Sequence, residues 1–152
     1  MWYYCLKIVH ILCAALLITS IGHSYRLWRM MHSSPNPSLL AERIQTQTSL
    51  CIIPLAVLQL ASGFMIMSLQ HYHYSELWVM GSVIGFIVVI GTWFSFIYFL
   101  VLSQQLIANT AQDASHPKYK LFRRIQFMML SLCACALVSM IFLMANRTAA
   151  LP

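Results

Sequence analysis

An all-α integral membrane protein, folded as a four-helix up-and-down bundle, is what this sequence predicts, and three observations predict it. The composition is 61% hydrophobic and 8% charged, whereas soluble domains carry roughly 25% charged residues. The apolar residues gather in four stretches, spans 2–24, 50–69, 77–102 and 125–144, each long enough for the ~30 Å hydrocarbon layer of a bilayer. The segments between them are too short to hold a further domain, so 152 residues read as one four-span transmembrane domain, with consecutive helices antiparallel.

Span one, WYYCLKIVHILCAALLITSIGHS, carries Lys7 and His10 where hydrocarbon would surround them. Three residues apart, they share a helix face, and His10 lies about 12 Å along the axis from Trp2. Intramembrane ionisable groups are costly and usually turn to a helix neighbour or a cavity, which makes His10 the first candidate site residue. No basic segment precedes this stretch and no small-residue cleavage site ends it, so it is expected to stay as a helix. A basic, polar segment follows, Tyr25 to Ser49, in which Pro35 and Pro37 should break any helix. Ser38 to Thr48 is expected as a short interfacial helix capped by Ser38.

In span two, Pro54 falls at the entry, and Gln59, Ser62 and Gly63 offer polar and small groups for helix contact. His71 and His73 sit in the turn after it. Span three is expected to start behind a Ser75 cap with Glu76 in its first turn. It carries Gly81 and Gly85 as a small-xxx-small pair that admits another backbone or a flat ligand. Trp78 is placed at the interface and Trp93 in packing. Span four follows a second basic segment with Lys118, Lys120, Arg123 and Arg124. Five cysteines scattered through the spans do not form a disulfide framework and are expected as small buried packing residues.

The net charge of +6 does not indicate nucleic-acid binding, because seven of the nine Lys and Arg residues lie in the two long loops beside the spans. By the positive-inside rule those loops are cytoplasmic, and both termini and the His71 turn are periplasmic. The expected location is the bacterial inner membrane. With only Glu42, Glu76 and Asp113 as acids, no carboxylate is available to orient a buried histidine for hydrolase chemistry, and no glycine-rich phosphate loop is present.

The order of the motifs LKIVHIL, YRLWRM, PLAVLQLASG, LWVMGSV, the Trp93 region and HPKYKLFRR resembles a family of predicted bacterial integral membrane proteins of unknown function. That family looks distantly related to the HemJ-type protoporphyrinogen oxidases and the CopD-type copper-resistance proteins. In the HemJ group a first-helix histidine in a similar Lys-then-His setting binds haem, so the resemblance implies that His10 is an axial ligand of a b-type haem with a redox role. The third-helix lysine important in that group has no counterpart here, which removes protoporphyrinogen oxidation from what the resemblance implies. Ser95 and Gln126 stand where the closer family pattern has proline and tryptophan.

The residues allow the haem reading on their own terms. At the depth of His10 the other spans offer Met65, Met67, Gly81, Gly85 and Met140: the glycines make room for a ring, a thioether is a possible second ligand, and Lys7 could pair with a propionate. The alternative is a periplasmic-side copper site built from Met67, His71 and His73, since thioether and imidazole both suit copper. A third reading is a cofactor-free structural or accessory subunit. The partners expected are the lipid bilayer and either a second copy or a membrane redox partner.

Overall fold

The computed structural model describes residues 2–31, 33–34, 36–71, 76–109 and 117–146, and among them there are helices and no strands. The order is α1 (Trp2–Met31), α2 (Pro37–Gln47), a π-helical turn (Thr48–Ile52), α3 (Ile53–Gln70), α4 (Leu77–Asn109) and α5 (Pro117–Asn146). Four helical stretches are long and apolar enough to cross a membrane: Trp2–Met31, Pro37–Gln70, Trp78–Leu106 and Lys118–Leu143. The all-α class and the four spans are therefore as expected. The helices overrun the expected ends, α1 by seven residues, because hydropathy marks where hydrocarbon stops while the helical hydrogen-bond ladder continues into polar surroundings.

The contacts divide the chain into two units, Met1–His73 and Tyr74–Pro152. In the first, α1 packs against α2, the π-turn and α3. Its buried face carries Leu17, Ser24 and Met31 at seven-residue intervals, and half-buried His10 stands one interval before Leu17. The imidazole thus belongs to the stripe that meets the next helix. The pair is antiparallel, since His10 meets Gln59 and Ser62 while Ser24 and Ser20, further along α1, meet the earlier Gln47.

Two local expectations for this unit are corrected. The cap of α2 is Asn36 and not Ser38, because Pro37 occupies the first helical turn, where its missing amide costs nothing and its fixed φ is already helical. The short helix does not stop before the second span. It continues through Thr48–Ile52 into α3, with the Ile53 amide donating to the Thr48 carbonyl. Pro54 accounts for the widened turn, since it has no amide to donate and its ring would press on the carbonyl four residues back.

The second unit is an antiparallel pair as well. Buried Val79, Phe86, Val89, Trp93, Phe96, Leu100 and Ser103 follow the alternating three-and-four spacing of a knobs-into-holes stripe on α4. On α5, Tyr119, Gln126, Leu130 and Cys133 are buried. A Cβ added to Gly81 would lie 2.7 Å from Leu143 Cδ1, and one added to Gly85 would lie 2.5 Å from Met140 Cγ, so the two glycines let α5 side chains seat against the α4 backbone. At the other end the buried Gln126 amide donates to the Phe99 carbonyl at 3.0 Å and to Ser103 Oγ at 3.3 Å. Trp93 is a packing residue as expected, its ring centroid 5.3 Å from that of Phe96.

Glu76 stands at the start of α4 and not in its first turn: its carbonyl accepts from the Val79 and Met80 amides and its carboxylate from the Trp78 indole. Ser75, the expected cap, lies outside the described residues. Of the cysteines, Cys13 and Cys133 are buried as expected while Cys5, Cys51 and Cys135 are exposed on their helices. The apolar thiol tolerates a lipid-facing position as readily as a buried one.

Candidate functional site

In the first unit, His10 reaches across the α1–α3 seam and uses both ring nitrogens there. Its Nδ1 lies 2.8 Å from Ser62 Oγ and its Nε2 lies 3.0 Å from the Gln59 side-chain nitrogen. An amide nitrogen can only donate, so with Gln59 so placed Nε2 is the acceptor, the ring proton is on Nδ1, and Nδ1–H donates to Ser62. The Ser62 hydroxyl donates to the Gln59 backbone carbonyl at 3.1 Å. The result is a closed circuit of three hydrogen bonds around a neutral imidazole. Gly63 lies beside the ring, where an added Cβ would stand 3.4 Å from His10 Cε1, in van der Waals contact.

One atom is left over. Gln59 is 9% exposed, and its side-chain oxygen is buried with no partner among the described residues. An unpaired acceptor in an apolar setting is costly, and a donor brought there would be stabilised.

The other expected site residues are distributed more widely. Lys7 is exposed on α1, one turn from His10 toward Trp2. Met65 is 56% exposed and Met67 half-buried. Gly81 and Gly85 face Leu143 and Met140 in the second unit. His71 is exposed and ends α3 in the left-handed region, φ 54°, with its amide turned back to the Met67 and Ser68 carbonyls. That is a helix-terminating conformation, usually given to glycine and tolerated by histidine better than by most residues. His73, the other imidazole of the copper alternative, lies outside the described residues, as do His32 and His116. Among the described residues no three His, Cys, Asp or Glu side chains converge as a metal site.

Gln59 and Ser62 were legible in the sequence only as groups for helix contact. Their spacing held a stronger signal. Together with Gly63 they put two polar side chains and a gap on one face in the middle of an apolar span, a pattern that calls for a polar partner from the adjacent helix.

No curated protein and no solved structure matches the chain. Residues 4–148 match the family described as predicted integral membrane protein (DUF2269), a match over nearly the whole length, and the chain belongs to that family.

Proposed function

We propose that this integral membrane protein binds a b-type haem through His10 and works in redox chemistry or electron transfer. The supporting observation is the setting of the ring: within an apolar span Nδ1 lies 2.8 Å from Ser62 Oγ and Nε2 lies 3.0 Å from the Gln59 side-chain nitrogen, an arrangement that suits a proton on Nδ1 and a lone pair on Nε2. An axial ligand needs such a lone pair, and ligating histidines generally give their other N–H to a fixed acceptor, the part Ser62 plays. The residues present fit the group on these terms. His10 would hold the iron, Ser62 would fix the ring, Lys7 would meet a propionate, and the Gln59 amide would turn off Nε2 to make way. Haem supplies the one-electron chemistry when bound, and the chain supplies the ligand, its orientation and a dry surrounding. The resemblance to HemJ-type proteins favours the same ligand. The absence of Lys, Arg and His from α4 argues against protoporphyrinogen oxidation.

The test is purification in mild detergent and visible spectra of the oxidised and reduced protein, for wild type and His10→Ala. The reading predicts a Soret band and a reduced α-band that vanish in the variant. A second reading, a cofactor-free accessory subunit, is favoured by the saturation of both ring nitrogens inside the hairpin. A colourless wild type that binds no added haem, and that is destabilised by His10→Ala, overturns the haem reading in its favour.

We also place the protein in the bacterial inner membrane with both termini outside. The clustering of Arg26, Arg29, Arg43, Lys118, Lys120, Arg123 and Arg124 in the two polar segments supports that orientation.

A further inference from the structure

A groove of about 730 Å³ opens between α1 and the α2–π-turn segment of the first unit. Its size is within the range of roughly 300–1,000 Å³ typical of ligand sites. Three features give it the character of a lipid site. First, it is amphipathic: Leu50 and Cys51 line its end nearer the span, and His23, Glu42 and Arg43 line it further along, beside Leu27 and Leu39. Second, its level is that of headgroups. His23 is about 32 Å along the helix from Trp2, the thickness of the hydrocarbon layer, so Leu50 and Cys51, on the span side of it, stand in the acyl region and the ionic groups stand where phosphates lie. Third, the polar group on its floor is already used, because Gln47 accepts from Ser24 Oγ at 3.2 Å and donates to the Ser20 carbonyl at 3.0 Å. The hydrogen-bonding capacity of the exposed His23, Glu42, Arg43 and Thr46 side chains faces outward.

The sign of the charges narrows the occupant. A groove for a purely anionic lipid would not be expected to carry a carboxylate beside its arginine, because like charges at a binding surface disfavour the ligand. A headgroup with both a phosphodiester and a primary ammonium complements the pair. We propose that this groove binds one glycerophospholipid with a primary-amine headgroup, of the phosphatidylethanolamine type. Arg43 takes the phosphodiester with help from the His23 ring, Glu42 takes the ammonium, and an acyl chain passes Leu50 and Cys51 into the hydrocarbon. The site is separate from His10 and does not depend on the haem reading.

Native mass spectrometry of the delipidated full chain, offered equimolar phosphatidylethanolamine, phosphatidylglycerol and phosphatidylcholine of matched acyl chains, tests it. Wild type should retain phosphatidylethanolamine at least threefold over both others. Glu42→Gln should erase the preference over phosphatidylcholine, Arg43→Ala should lower retention of phosphatidylethanolamine several-fold, and Leu50→Trp should do the same by filling the groove with both charges intact. Arg124→Ala, a basic residue outside the groove, should leave retention unchanged. Equal retention of the three lipids, a preference for phosphatidylglycerol, or a wild-type pattern in Glu42→Gln and Arg43→Ala overturns the proposal.

Discussion

His10 and Gln59 meet nitrogen to nitrogen across the α1–α3 seam at 3.0 Å, a contact that calls for the ring proton on Nδ1. The lone pair of Nε2 is then directed at the amide N–H. Ser62 holds the opposite side of the ring at 2.8 Å. A hydrogen-bonded helix contact and the ligand of the proposed haem reading call on the same ring at this site, and variants that separate the two roles are informative.

The first prediction concerns the strength of the contact. Hydrogen bonds between membrane helices contribute about 0.6 kcal/mol on average and up to about 1.7. A double-mutant cycle with His10→Phe and Ser62→Ala, followed by denaturant titration in micelles, should give a coupling in that range. A cycle pairing His10→Phe with Ser139→Ala, whose hydroxyl serves only its own helix, should give none.

Glycine substitutions should divide by surroundings. Gly85→Ala drives a methyl into Met140 and should cost about 1–3 kcal/mol as overpacking. Gly22 and Gly91 have nothing within 4 Å of an added Cβ, and alanine there should be neutral or stabilising by up to about 1 kcal/mol through helix propensity. Thermal denaturation of the three single variants checks the order.

At the end of α3, His71 holds a positive φ of 54°, for which glycine carries no side-chain penalty. His71→Gly should raise stability by about 0.5–1 kcal/mol, and His71→Val should lower it by more. If His71 instead served copper, His71→Gly would release metal from a copper-loaded preparation.

The arrangement in the membrane is tested in a cysteine-free background with an impermeant thiol reagent on intact cells. A cysteine at position 73 should be labelled and one at position 115 should not. The opposite pattern reverses the orientation.

The spans and the exceptional position of His10 were readable from the chain because both are matters of composition along one helix. An imidazole in an apolar run announces itself, and the three-residue spacing from Lys7 places it on a face shared with that residue. Partnership was not readable in the same way. Nothing in span two alone says that Gln59 and Ser62, and not Met65 or Met67, come level with His10, since that depends on the relative register of two helices. The glycines show the same limit: small-xxx-small spacing marked Gly81 and Gly85 as an approach surface, while their neighbours Met140 and Leu143 follow from how α4 and α5 dock. Backbone chemistry supplied the rest, with Pro37 moving a cap and Pro54 widening a turn.

The proposed role of His10 rests on the protonation of one ring, and solid-state NMR of ¹⁵N-histidine-labelled, cofactor-free protein in bilayers reads it directly, with His10→Phe to assign the signal. The prediction is a neutral imidazole with a protonated Nδ1 and an unprotonated Nε2, and with its Nδ1 signal displaced by Ser62→Ala. A ring protonated on Nε2, or a signal indifferent to Ser62, would contradict it.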